Sequence, residues 1–362
     1  MSTIFLIAIL LLGFVITFQI AKASEYVGIL KGEKKNSEQN NKINGFLMIV
    51  FLVLGLIGVY WCNELFRGKI LGEAASDHGK KIDTMMYITI AICGVVFFIT
   101  QILLFWFAFK YQHSEKRKAY YFPHNNKLEL IWTVVPAITL TVLVGFGLMY
   151  WFQITGDAPK NAMEVEVTGK QFNWIFRYPG KDNIFGKKYY KNISDAQNNS
   201  LGLLWDDEHG HDDIVVNNTM YLIVGKPVRF IINSRDVIHD VGMVAFRMKM
   251  DAVPGTPTTI WFTPLFTTAE MKKKTGNPDF EYEISCDQMC GRGHFSMRGE
   301  IQVVTPEEFI LWRARQQSNY AQVMKAKESP APTAPAAAAD STAAKAARVK
   351  LNNTSKLVAE AK

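Results

Sequence analysis

The sequence predicts a membrane-anchored α + β protein, with N-terminal transmembrane helices followed by a β-sandwich outside the membrane. Three observations lead there. Four apolar segments fill the first part of the chain, at Ile4 to Ile20, Phe46 to Trp61, Met85 to Phe109 and Leu130 to Phe152. After Phe152 the apolar pattern changes to period two, with short runs set off by glycine and proline. Neither helix–strand alternation nor a phosphate-cradling glycine loop occurs there, which argues against a nucleotide-binding α/β fold.

A spanning helix needs about 20 apolar residues, so the third and fourth segments are long enough to cross a bilayer. The second is shorter but uncharged, and a buried core helix is its alternative. In the first, Ala21-Lys22-Ala23 imitates the end of a secretory signal, but no positive residue precedes Ile4. The Lys116-Arg117-Lys118 cluster between the last two spans favours a cytoplasmic loop. Phe152 is then outside, Lys31, Lys34, Lys35 and Lys42 are inside, and the N-terminus is outside. Cleavage after Ala23 would invert this order, so the first segment is expected to be retained. Cys62 and Cys93 sit at or in apolar segments with no ligand nearby and read as small buried hydrophobes.

The outer part alternates from Met163 to Val167 and is strand-like at Pro227 to Ile232, Thr259 to Phe262, Glu281 to Ile284 and Gly299 to Val304. Between them Asp206 to Asp213 forms an acidic, histidine-containing run. Such a run can hold zinc or calcium, or attract a basic partner, but is more often a solvated loop. The net charge of +7 owes much to Lys325, Lys327, Lys345, Arg348, Lys350, Lys356 and Lys362 near the end. Ser329 to Ala347 is Ala/Pro-rich and reads as a flexible tether. A tail placed outside the cytoplasm suits anionic lipid or a partner subunit, not nucleic acid.

The chemistry concentrates in CDQMCGRGHFSM, Cys286 to Met297. Soft sulfur ligands with imidazole select copper, zinc or Fe–S clusters, and a weak methionine contact beside them marks copper electron-transfer sites. One cysteine suffices for a single copper. Two held this close can each bridge two metals, which calls for a second histidine. His239, in Asp236-Val237-Ile238-His239-Asp240 after a strand-like run, is the candidate, brought by its loop to one end of the sandwich. The donor set is His239, Cys286, Cys290, His294 and Met297, with the backbone carbonyl of Gln288. Read alone, the cysteine pair could be a disulfide, and His239 an ordinary histidine at a strand end.

With Lys249-Met250-Asp251-Ala252-Val253-Pro254-Gly255 between them, these motifs resemble the dinuclear copper (CuA) domain of cytochrome c oxidase subunit II. The resemblance runs from about Met85 to Val304. It implies a cupredoxin-like Greek-key sandwich on the periplasmic side of a bacterial inner membrane, in a multi-pass chain. It also implies the electron-accepting subunit of a proton-pumping haem-copper oxidase. Such a subunit takes electrons from cytochrome c and passes them to haem in catalytic subunit I. No residue here would itself be catalytic. The resulting division is 1–61 for two additional helices, 85–152 for the family's transmembrane hairpin, 153–315 for the copper domain with an insertion at about 181–213, and 316–362 for the tail. No Cys-x-x-Cys-His is present, so this chain carries no c-type haem. The donor is then a separate cytochrome c or a haem c-containing membrane complex. Alternatives are a membrane-tethered copper-binding or delivery protein, or a quinol oxidase subunit II, whose relatives have lost the ligands. Nitrous oxide reductase shares the centre but needs a far larger catalytic domain.

Three further places follow from the resemblance. Glu129, in Glu129-x2-Trp132-Thr133-x2-Pro136, matches a glutamate at the mouth of a proton channel; the alternative is an interfacial carboxylate favoured by the helix N-terminus. Gln288 replaces a glutamate whose side chain helps to bind interfacial magnesium. A neutral amide is a weaker ligand for that hard cation, so the magnesium is expected to be weak or absent. In Gly169 to Tyr178, Phe172 takes the place of a surface tryptophan through which electrons enter, and Trp174 keeps the second aromatic place.

Overall fold

The computed structural model describes residues 3–68, 71–114 and 117–328. Lys116 of the basic cluster and the Ala/Pro-rich stretch from Ser329 lie outside the described residues. Four long helices open the chain: α1 (Thr3–Lys31), α2 (Glu33–Phe66), α3 (Asp77–Lys110) and α4 (Asn126–Thr155). Among the described residues, α2, α3 and α4 are long and apolar enough to cross a membrane. Each extends past its apolar run for a local reason. The polar start of α2 carries a Glu38–Lys42 pair at 3.0 Å, one turn apart. The N-cap of α3 is Ser76, whose hydroxyl accepts the Gly79 amide. In α4, Asn125 caps the Leu128 amide at 3.1 Å, while Glu129 accepts the Asn125 amide at 3.2 Å. Cys62 and Cys93 are exposed on their helices, not buried as expected, because these helices present most of their apolar surface outward.

Ten strands follow: β1 (Met163–Lys170), β2 (Asn173–Tyr178), β3 (Ile214–Asn217), β4 (Thr219–Ile223), β5 (Val228–Ser234), β6 (His239–Met243), β7 (Met248–Ala252), β8 (Thr258–Phe262), β9 (Tyr282–Cys286) and β10 (Arg298–Val304). Three further helices are α5 (Thr268–Thr275), α6 (Pro306–Arg315) and α7 (Asn319–Glu328). By compactness the chain divides into residues 1–174 with 218–309, and residues 175–217 with the chain from 310.

In the first unit, β1 pairs in parallel with β5, and β5 antiparallel with β8. A second sheet runs β4-β10-β9-β6-β7. Val165, Val167, Phe230, Ile232, Phe262, Leu222, Ile284 and Ile301 fill the core. Of the ten strands, the sequence pattern anticipated β1, β5, β8, β9 and β10, and it left out β2, β3 and β4. It missed β6, whose HDVGM is buried throughout despite its polar letters, and β7, whose MKMDA looks like a loop.

The sandwich is joined to α3 by a dense polar seam. A 3₁₀ turn at Val244–Phe246 receives the Ser76 hydroxyl on the Phe246 carbonyl at 2.6 Å and the Ala75 amide on the Ala245 carbonyl at 2.8 Å. Arg247 grips Asp83 of α3 with two nitrogens at 2.8 and 3.1 Å. Asp77 accepts the Thr263 amide at 2.8 Å, and Trp261 donates its indole N–H to the Gln153 carbonyl at 3.1 Å.

The second unit contains the insertion and the C-terminal helices. Here β2 and β3 pair antiparallel from Ile175↔Asn217 to Tyr178↔Ile214. Buried Arg177 lies 3.3 Å from Asp213, which also accepts the Gly186 amide at 3.0 Å. His211 stacks on Tyr320 of α7 at 3.8 Å, and Tyr178 meets Trp312 edge-on at 5.1 Å. His209 lies 2.7 Å from Asp182, whose carboxylate pushes the imidazole above its ordinary pKa. Within the acidic run Asp213 is buried and His211 reaches α7, while Asp206, Glu208 and His209 stay exposed. Residues 319–328 of the expected flexible tail are helical, with Val323 buried against this unit; the apolar and aromatic contacts of α7 offset the cost of ordering it.

Phe246 ties the seam to the core. It is fully buried, with its ring 4.7 Å from both Phe262 and Tyr282. Phe246→Ala is expected to destabilise the outer domain by about 3–5 kcal/mol, measured as an earlier denaturant transition in the tryptophan fluorescence of the detergent-solubilised chain.

Candidate metal centre

Three neighbouring strands of the second sheet bring the donors to one end of the sandwich. His239 is the first residue of β6 rather than part of the preceding loop, and Cys286 is the last residue of β9. Met297 immediately precedes β10, and the Cys286 amide donates to its carbonyl at 3.1 Å. The pairing of Val241 with Cys286 sets the register that carries His239 to the sulfur. Between β9 and β10 the chain loops through Gln288 and Cys290 to a 3₁₀ turn, His294–Ser296.

The donors converge. Cys286 Sγ lies 3.7 Å from His239 Nδ1 and 3.1 Å from the Gln288 carbonyl oxygen. Cys290 Sγ lies 3.7 Å from His294 Nδ1 and 3.8 Å from Met297 Sδ. The donor atoms of His239, Cys286 and Cys290 lie within 4.8 Å of one another, and all three residues are buried. This is the one such group among the described residues. Burial, with the Cys286 thiol beside it, pushes the Cys290 thiol up to about 11. Two thiolates this close require a cation to hold them, and metal binding at such a site releases protons. Two thiols, two imidazoles, a thioether and a carbonyl, with no carboxylate among them, fit a soft metal and not magnesium or calcium.

Two residues absent from the sequence-derived set position this group. Asp236 Oδ1 lies 2.7 Å from His239 Nε2. An ionised carboxylate only accepts, so Nε2 carries the proton and the Nδ1 lone pair is left facing the sulfur. The other carboxylate oxygen accepts the Gln171 amide at 2.8 Å. Burial pulls the Asp236 carboxyl upward, but the Gln171 amide, the His239 ring and the Val237 amide together hold it below the usual carboxylate range. The Gln171 side chain donates to the Cys290 carbonyl at 2.5 Å, which ties the cysteine loop to the same hub. The signal for Asp236 was its place three residues before a candidate ligand; Gln171 had none beyond its aromatic neighbours.

Glycines make room for this packing. A Cβ on Gly169 would stand 2.7 Å from the His239 ring. Gly291, at φ 130°, would meet Gln171 at 2.9 Å and the Phe172 ring at 3.1 Å, and a Cβ on Gly293 would run into the same ring. Phe172 therefore rests directly on the cysteine loop, 39% exposed. Trp174 is fully buried, its ring 6.1 Å from that of His239, so it can meet a ligand but not a docked protein. Beyond His239, Asp240 is buried and paired with Lys249 at 2.9 Å; burial pushes its carboxyl up, and the ammonium offsets only part of this. Glu129 is far off in sequence, in the first turn of α4, where its described contact is the helix cap.

Two family descriptions match the chain. "Cytochrome C oxidase subunit II, transmembrane domain" covers residues 67–149, and "Cytochrome C oxidase subunit II, periplasmic domain" covers residues 163–304. The alternative cytochrome c oxidase subunit 2 of Bradyrhizobium diazoefficiens is 36% identical over 238 residues, covering 66% of this chain and 80% of its own. Cytochrome c oxidase subunit 2 of Cereibacter sphaeroides is 25% identical over 233 residues, covering 62% and 72%. Among solved structures, the periplasmic domain of a cytochrome oxidase subunit II from Bradyrhizobium japonicum is 26% identical, covering 44% of this chain and 95% of that one, at a TM-score of 0.30.

The Asp236 contact gives a test that leaves every donor in place. Asp236→Asn is expected to weaken copper affinity by about 10- to 100-fold, measured by titrating the purified chain with copper against a competing chelator. An unchanged affinity would mean that strand packing alone orients His239.

Proposed function

This chain belongs to the cytochrome c oxidase subunit II family, and from that we propose that it is the electron-input subunit of a proton-pumping haem-copper oxidase. Its transmembrane-capable helices hold a cupredoxin-like outer domain, for which we propose the periplasmic side of a bacterial inner membrane. The donors are His239, Cys286, Cys290, His294, Met297 and the Gln288 carbonyl. These residues would hold a copper pair, which would supply one-electron redox chemistry. The chain's own part is to hold those ligands rigid, keep His239 in one tautomer through Asp236, and exclude water by burial. Haem and oxygen chemistry belong to catalytic subunit I.

The observation that carries this reading is the convergence of two imidazoles, a thioether and a carbonyl, from β6 and the loop before β10, on two buried thiols. A copper-delivery protein needs an open, exchangeable site, and a quinol oxidase subunit needs no ligands at all; neither accounts for this set. We place the incoming electron at Phe172, the exposed ring on the ligand loop, with Trp174 behind it against His239. Glu129 is proposed at the mouth of a proton path into the catalytic subunit, its cap holding it at the membrane surface. The donor is a cytochrome c or a haem c-containing complex. Interfacial magnesium is weak or absent because Gln288 offers an amide.

The test is the optical and EPR spectrum of the copper-loaded chain. A mixed-valence dinuclear signal is expected, and a single-copper signal would favour the delivery protein. Cys286→Ser or Cys290→Ser should abolish that signal, while Met297→Leu should keep it with a shifted potential, since the thioether is a weak ligand. Equal copper loss in all three would overturn the assigned roles.

Electron input has its own test. Phe172→Ala should slow transfer from cytochrome c at least tenfold and Phe172→Trp should be nearly neutral, with the copper spectrum unchanged in both. Stopped-flow reduction of the intact oxidase measures this. Unaltered rates in Phe172→Ala would move the input point elsewhere.

A further inference from the structure

The outer end of α3 sets positive charge above an apolar stripe. Its apolar run starts at Met85, so residues 77–84 lie where a spanning helix leaves the bilayer. The Lys81 ammonium donates to the Gln153 side chain of α4 at 3.2 Å, and the Gln153 carbonyl accepts the Trp261 indole, which sets β8 at the same level. From β8 the chain runs through Phe266 into α5. Two ammoniums from separate elements gather on that ring. Lys80 of α3 stands 5.4 Å from the Phe266 centroid, and Lys274 of α5 stands 4.2 Å from it. Lys274 is paired with Glu73 at 2.7 Å, whereas Lys80, Lys272 and Lys273 have no carboxylate partner among the described residues. Residues 72–84 and 266–275 together hold five lysines and four carboxylates. Arg247 neutralises Asp83, which leaves three carboxylates against the five lysines.

Below Lys80 the same helix face is uncharged. Thr84, Tyr87 and Ile88 follow it at the spacing of one helical face, Ala91 and Val95 continue the stripe, and all five are exposed. No charged residue occurs in α3 between Asp83 and Lys110. We propose that Lys80 and Lys274 hold the phosphate of an anionic phospholipid whose acyl chains lie along the Thr84–Val95 face of α3. A cation pair above an apolar stripe has the outline of a lipid; a free phosphate would leave the stripe bare. The surplus of lysine favours a headgroup with net negative charge over a zwitterionic one. Lys80 is free to meet a phosphate oxygen, while Lys274 would share its charge between Glu73 and the headgroup. The site is independent of the metal centre, and a lipid seated there would brace α5 against α3.

The experiment uses the full chain, delipidated in detergent and titrated with phosphatidylglycerol or with phosphatidylcholine of the same acyl chains. Native mass spectrometry counts the bound copies. A single phosphatidylglycerol is expected to bind ahead of any phosphatidylcholine. Lys80→Gln should weaken that binding about fivefold, Lys80→Arg should restore it, and copper absorption should be the same in all three proteins. Equal affinity for the two lipids, or unchanged binding in Lys80→Gln, would overturn the proposal. So would displacement of the lipid by millimolar inorganic phosphate, since the site would then recognise a free anion. A second measurement addresses the assembled complex in its own membrane. Tyr87 is replaced by the photo-cross-linker p-benzoylphenylalanine and the cells are irradiated. An adduct with phospholipid is expected; an adduct with another subunit would show that protein covers the stripe, and would overturn the proposal as well.

Discussion

One carboxylate organises the metal end of the sandwich. Asp236 accepts from the Gln171 amide and holds the His239 ring, and Gln171 in turn holds the Cys290 carbonyl. Three segments far apart in sequence, the end of β1, the loop before β6 and the loop after β9, are thereby fixed to one point. Without that hub, two buried thiols and two imidazoles would need only strand ends to hold their spacing, and strand ends fray. The hub also explains why the ligand loop tolerates so many glycines. Gly169 and Gly291 leave no space for a side chain where the His239 ring and Gln171 pass. The loop is kept in shape by bonds to its neighbours more than by its own sequence.

Much of this site was legible in the chain because its donors crowd into one short run. Cysteine, histidine and methionine at those spacings leave few chemical alternatives. His239 was legible only as the partner that the run lacked, and the sequence expected it on a loop when it begins β6. Asp236 and Gln171 were not legible. Their roles depend on hydrogen bonds between strands, which no local pattern encodes. The period-two pattern picked out β1, β5, β8, β9 and β10 but not β4 or β7, whose burial alternates as well. β6 escaped it, since a strand buried on both sides has no alternation to detect. The order of residues 319–328 was also hidden, because the contacts of Tyr320 with His211 and Trp205 are made across more than a hundred residues.

The insertion illustrates how misleading a charged run can be. Asp206 to Asp213 looks like a solvated or metal-binding loop, yet Asp213 is fully buried against Arg177 and Asp207 accepts the Lys187 amide. A buried ion pair is weak support for stability on its own. Its value here is geometric, since Asp213 accepts both the Arg177 guanidinium and the Gly186 amide.

The seam between the sandwich and α3 has a mechanical consequence. Ser76, Asp77 and Asp83 belong to the start of a 34-residue helix, and all three are bonded to the outer domain. A helix in that position cannot tilt without carrying the sandwich with it. Tilting is one of the ways in which a transmembrane helix meets a change in bilayer thickness. Any change in the tilt of α3 would therefore be carried to the metal end, as a lever turns about its seat.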